Sequence, residues 1–176
     1  KLYSYDGSAW NACTTAEGGA SYPTRNEDVF FYYKGFLYAI IQSSGAVSRW
    51  EIATNSFTDI YQSFTADGAT ATSTYVQPIH HLGDDCAYYF VDNKVYRLNN
   101  VTWDGLVLTL PTNLKIVSAC EFGNYLAIGC ATTDNRESVV YLWDRDSSLA
   151  TITQGIDFGE GQLKHLANLN NKLTGI

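Results

Sequence analysis

One pattern recurs along this chain and limits what it can fold into. A short apolar strand is followed by a turn rich in Asp, Asn, Gly or Ser, and then by a second strand that carries an aromatic residue or a leucine. Residues 1–10 (KLYSYDGSAW), 47–57 (VSRWEIATNSF) and 94–103 (KVYRLNNVTW) all show it. The fullest copy is 116–154, which reads as four strands: 116–122 (IVSACEF), 125–131 (YLAIGCA), 138–143 (SVVYLW) and the more polar 149–154. Turns fall at Gly123-Asn124, at 132–137 and at 144–148. Tyr5, Trp50, Leu98 and Trp143 hold equivalent places, roughly 45 residues apart. The first two strands recur as well, because 29–41, 79–91 and 163–176 each place a turn between two apolar runs.

Short strands at this spacing, broken by turn residues, argue for an all-β fold. A four-stranded unit of about 40 to 50 residues is the mark of a β-propeller blade of the WD40 or kelch kind. One such sheet cannot bury both of its faces alone, so the units must pack on one another. The units are expected at 25–70, 75–112 and 115–158, with a fourth made of 1–22 together with 163–176. The chain begins with third and fourth strands and ends with first and second ones. The expectation is therefore a single propeller domain over 1–176, of antiparallel four-stranded blades, four blade-equivalents in all, whose terminal strands share one blade. A fragment of a larger propeller is the alternative, and the sequence leaves both open.

Composition fits a packed β protein: 45% of residues are hydrophobic and 16% charged. The net charge of −7 and the scattering of the 11 basic residues argue against nucleic-acid binding, which rests on clustered Lys and Arg. No apolar run approaches the 18 or so residues of a membrane-spanning helix. Lys stands first and Met is absent, so the chain is expected to be processed or excised. Cys86, Cys120 and Cys130 fall inside expected strands and Cys13 near the end of one. With no C-x-x-C and no zinc-site spacing they read as small buried thiols, a disulfide between neighbouring units being the alternative.

Few residues suggest chemistry. Residues 4–10 (SYDGSAW) resemble the Asp-box turn of sialidases, with Ser8 in place of its glycine and the aromatic one residue early. That turn is structural, and the scattered arginines form no cluster for a substrate carboxylate. Arg25 lies in the polar loop 18–28, where connections concentrate binding residues. His81 and His165 hold first-strand places, and Asp85 ends the turn after His81. These four, Arg25, His81, Asp85 and His165, are the candidate ligand or partner contacts. Adjacent His80 and His81 point to opposite faces of a strand and cannot chelate together. Residues 144–148 (DRDSS) lack the carboxylates, glycine and distal Glu of a calcium loop, and 157–161 (DFGEG) reads as a glycine-rich connection. No catalytic residue, metal site or cofactor is expected.

Residues 139–176 resemble repeats in virion structural proteins of tailed bacteriophages, carried by LWDRDSS at 142–148 and GEG at 159–161. The resemblance implies a non-enzymatic structural or interaction module, a component of a phage tail or nozzle that acts through protein–protein contacts. The alternative is a carbohydrate-binding or host-receptor-binding propeller, with a glycan-processing enzyme behind it. Its support is the supply of 13 Tyr and 4 Trp, whose rings stack on sugars. Against it, Trp10, Trp50, Trp103 and Trp143 read as packing residues, three of them at repeat positions.

Overall fold

The computed structural model describes residues 3–5, 7–12, 14–15, 29–42, 45–54, 56–70, 72–146, 153–161 and 163–176. The chain divides into two compact units, Lys1–Ser73 and Thr74–Ile176. Both are built of antiparallel sheets, and no sheet closes on itself.

In the first unit, β1 (Tyr3–Tyr5) and β2 (Trp10–Ala12) form a hairpin. β4 (Val29–Tyr33), β5 (Phe36–Ile41), β6 (Ala46–Glu51) and β7 (Ser56–Ser63) form a meander, and β3 (Thr14–Thr15) adds to its outer edge in parallel to β7. Lys34 and Gly35, at φ 46° and 83°, make the two-residue turn whose twist matches a hairpin. Trp50 and Phe57 pair across β6 and β7 and are both buried. Arg49 lies over the rings of Tyr61 and Phe36.

The second unit repeats the meander. β8 (Tyr75–His81), β9 (Cys86–Val91), β10 (Lys94–Asn99) and β11 (Thr102–Thr109) form one sheet in sequence order. β12 (Leu114–Phe122), β13 (Tyr125–Thr132), β14 (Glu137–Trp143) and β15 (Thr153–Glu160) form the next, and β16 (Leu166–Leu169) with β17 (Lys172–Gly175) forms a hairpin. β1–β2 and β16–β17 are each described as a two-stranded sheet.

Burial explains the composition of the middle strands. Cys86, Tyr88 and Phe90 of β9 meet Leu126, Ile128 and Cys130 of β13 in one core, closed by Leu110, Ile116 and Trp143. Beyond the exposed Tyr125, the other face of β13 carries Ala127, Gly129 and Ala131, because the chain crosses over it on the way from β15 to β16. A Cβ on Gly129 would lie 2.5 Å from the Leu163 side chain. Two buried serines pin that crossing. Ser138 Oγ donates to the Gly161 carbonyl at 2.7 Å and accepts the Leu163 N–H at 2.8 Å, and Ser118 Oγ accepts the Leu166 N–H at 2.9 Å. Ala127, Val140, Leu163 and Leu166 form a second core beneath it. The β12–β15 sheet is thus covered on both faces, as a middle sheet of a stack must be.

Two expectations need correction. The fourth strand of this sheet is described as Thr153–Glu160, residues 149–152 of the expected 149–154 lying outside the described residues, so the stretch expected as a glycine-rich connection is mostly strand. β15 is an edge strand whose pairing with β14 is broken by two bulges, and such a strand tolerates the glycines that read as a loop. The tryptophans also divide. Trp50 and Trp143 are buried and Trp103 stacks on Tyr96, but Trp10 is 71% exposed against Tyr5.

Candidate functional site

β8 and β12 are the first strands of their sheets and lie against each other. Each carries a bulge at the corresponding place. In β8 the register slips between Val76 and Ile79, where Pro78 has no N–H to give to the ladder. In β12 it slips between Ile116 and Ser118, leaving Val117 without a cross-strand partner. Bulges bend a strand and re-aim its side chains, and they cluster beside binding sites.

Beside these bulges lies a cavity of about 560 Å³, bounded by β8, β12 and the crossing segment. This is the size of a small-molecule pocket. Tyr75, Gln77 and Ile79 come from β8, and Lys115, Val117 and Ser118 from β12. The crossing segment adds Lys164 and His165. No carboxylate is among the lining residues. Ser118 is buried, and because its oxygen accepts the Leu166 N–H its own O–H remains a donor.

The far ends of the same strands carry a second polar cluster. His81, the last residue of β8, is fully buried. Arg145, from the loop after β14, bridges the two sheets: its Nε donates to Asp84 Oδ2 at 2.9 Å and its Nη1 lies 2.7 Å from His81 Nε2. A guanidinium only donates, so Nε2 must offer its lone pair and the ring proton sits on Nδ1, 3.4 Å from Asp84 Oδ1. The Gly83 N–H, 3.1 Å from Nδ1, then faces a donor, and the Arg145 contact is the stronger claim on the ring. Tyr88 donates to Asp84 Oδ2 at 2.6 Å, and burial and this bond push its phenol pKa up. Glu121 Oε1 accepts the Leu82 N–H at 3.2 Å. A Cβ on Gly83 would press on the His81 ring at 2.9 Å, so the turn needs glycine. Every charge here has a partner, and the cluster acts as a clamp between sheets.

The four candidate contacts scatter. His81 belongs to the clamp and is shut off from solvent. Asp85 is exposed and pairs with His80 at 2.7 Å. His165 lines the cavity. Arg25 lies outside the described residues. Sequence reasoning passed over Lys115, Ser118 and Lys164, which are remote in the chain and meet only through the β8–β12 contact and the crossing. It also read Arg145 as part of a turn. Cys86, Cys120 and Cys130 are free thiols. Burial pushes Cys120 up to about 11 and Cys130 up to about 12. Among the described residues no group of His, Cys, Asp and Glu is placed to hold a metal ion, and no helix is long and apolar enough to cross a membrane.

No family model matches the chain, and no curated protein does. Solved structures do. The extracellular domain of BT4673 from B. thetaiotaomicron, described as a one component system, superposes with a TM-score of 0.60 at 16% identity over 90% of this chain. A second structure of that domain, described as a hybrid two component system, gives 0.57 at 15% identity over 88%. This chain spans about a fifth of each, 20% and 21% of their lengths. At this identity the likeness is one of fold alone.

Proposed function

We propose that this chain is a ligand-binding part of an extracellular module, that its four-stranded sheets are propeller blades, and that the ligand enters the cavity beside β8 and β12. The observation that carries the reading is the cavity itself, flanked by a bulge on each of the two strands that form it. The fold likeness to an extracellular domain of a one component system supports an extracellular setting. The sequential meanders and the doubly covered β13 support the blade reading.

Binding fits the lining better than catalysis. The cavity offers no carboxylate pair for acid–base chemistry, and Ser118 Oγ is engaged by a backbone N–H rather than by an imidazole base. A place in a phage tail or nozzle has only the short likeness at 139–176 behind it. Arg145, within that stretch, is spent on the clamp. Titration of the ¹⁵N-labelled chain with a panel of sugars and organic acids tests the reading. Shifts gathered on Tyr75, Lys115 and Ser118 are expected; shifts confined to the exposed Tyr5–Trp10 pair would move the site there.

A further inference from the structure

We infer that the ligand of this cavity carries an oxyanion, a carboxylate or a sulfate, received by Lys115, Lys164 and His165. The inference rests on the cavity being the binding site, and it deepens that reading by naming the ligand's charge.

Charge pairing elsewhere in the chain makes the contrast. The chain holds 18 acidic against 11 basic residues, so a cation near the surface has acids to choose from. Arg97 pairs with Asp104 at 2.7 Å, Arg136 with Asp134 at 3.5 Å and Arg145 with Asp84 at 2.9 Å. Lys115 and Lys164 have no ion pair among the described residues, yet both line one cavity that no carboxylate lines. Asp92 sits behind Thr74 at the cavity's edge, but its Oδ1 accepts the Thr74 N–H at 2.7 Å. On β12, Glu121 lies beyond the cavity and is held by the Leu82 N–H. Asp92 and Glu121 are thus each held by a backbone donor, the Ile176 oxygen accepts the Lys164 and His165 N–H groups, and neither lysine makes an ion pair among the described residues.

The remaining lining completes a receptor for such a group. A lysine ammonium is a point charge that accepts an oxyanion from many directions. The Ser118 O–H adds a directed donor from a buried position, and hydrogen bonds to a charged acceptor are roughly twice as strong as neutral ones. Gln77 and Tyr75 supply an amide and a ring for the neutral body of the ligand. A free inorganic anion would fill only a small part of about 560 Å³, so an organic frame suits the volume better.

The test compares two disaccharides that differ in their carboxylates. Digalacturonate and galactobiose are titrated into the whole chain by calorimetry, with cavity resonances followed in parallel and sodium sulfate as a third probe. Digalacturonate is expected to bind at least tenfold more tightly than galactobiose and to weaken between 20 and 200 mM NaCl. It should lose at least tenfold in Lys115→Gln/Lys164→Gln, whose melting temperature should match the parent's. Sulfate that competes as tightly as digalacturonate would uphold the oxyanion and overturn the organic frame. Galactobiose binding within twofold of digalacturonate, with cavity shifts, would overturn the oxyanion and leave the cavity as the site. No cavity shift from any of the three would overturn both readings.

Discussion

Followed from start to end, β8 and β12 pass from an open cavity to a closed clamp within a few residues. At their starts Lys115 shares the cavity with Lys164 and His165, and no carboxylate is among its lining residues. At their ends Arg145, His81, Asp84, Tyr88 and Glu121 engage one another or the backbone. Both ends are polar, and both draw on the same two strands. What separates them is whether each charge is already matched. A matched cluster holds sheets together, while an unmatched one has free energy left to give to a ligand. This is why His81, the more conspicuous residue in the sequence, is the poorer binding candidate.

The largest effect should come from breaking the clamp. Arg145→Ala would leave the buried His81 Nε2 without its donor and Asp84 without its cation, Asp84 keeping the Tyr88 O–H and the Cys86 N–H. Removing one member of a buried charged pair costs about 3 to 5 kcal/mol, and partial exposure of Asp84 places this case near about 3 kcal/mol. Urea denaturation measures it as a fall in midpoint at unchanged slope. A loss below about 1 kcal/mol would show that the clamp is no more than a surface ion pair.

A second substitution probes what lies between the two ends. Gly129→Ala places a methyl group where Leu163 already sits, 2.5 Å away. The crossing segment must lift, and overpacking of this kind costs about 1 to 3 kcal/mol. Because the same segment brings Lys164 and His165 to the cavity, the variant should also weaken whatever binds there, measured by calorimetry alongside the melt. Stability lost with binding intact would separate the crossing from the site.

The clamp should also show itself in alkaline solution, alongside the cavity's Tyr75, whose pKa burial and Asp92 raise as well. Tyr88 keeps its proton in the folded chain well above the ordinary value of about 10, through burial first and its bond to Asp84 second. The unfolded chain gives that proton up, so the contribution of Tyr88 is whole below pH ~10 and falls as pH rises further. The slope is up to about 1.4 kcal/mol per pH unit. Cys130, held up to about 12 in the core, adds the same sign from about pH 9. Tyr88→Phe should flatten the stability profile between pH 10 and 11. An unchanged profile would place the alkaline loss elsewhere.

The strands were legible in the sequence where burial dictates them. Residues 116–122 and 125–131 were read nearly as they stand in β12 and β13, because strands covered on both faces must be apolar along their whole length. The read failed at β15, whose glycines imitate a loop. The cavity was not legible at all. It depends on two bulges, and a bulge resets which face every later side chain takes, so strict alternation could not say where His81 or Lys115 would point. Pro78 was the one visible cue. The clamp was hidden for another reason: Arg145 meets His81 only after two sheets have packed, and nothing local in a DRDSS turn announces a partner in a different sheet.

The smallest expected effect gives the sharpest test of the comparison. Lys115 and Lys164 make no ion pair among the described residues, so Lys115→Gln and Lys164→Gln should each change stability by no more than about 0.5 kcal/mol in either direction. Loss of a lysine from a positive cluster even relieves some repulsion, and a slight gain at low salt is the natural direction. Equilibrium melts at 20 and 200 mM NaCl decide the matter. If either lysine costs more than about 1 kcal/mol, it has a structural partner, and the cavity end becomes a second clamp rather than a site. If both are neutral, the chain keeps two positive charges at one cavity without using them to stay folded, and they are free for what the cavity receives.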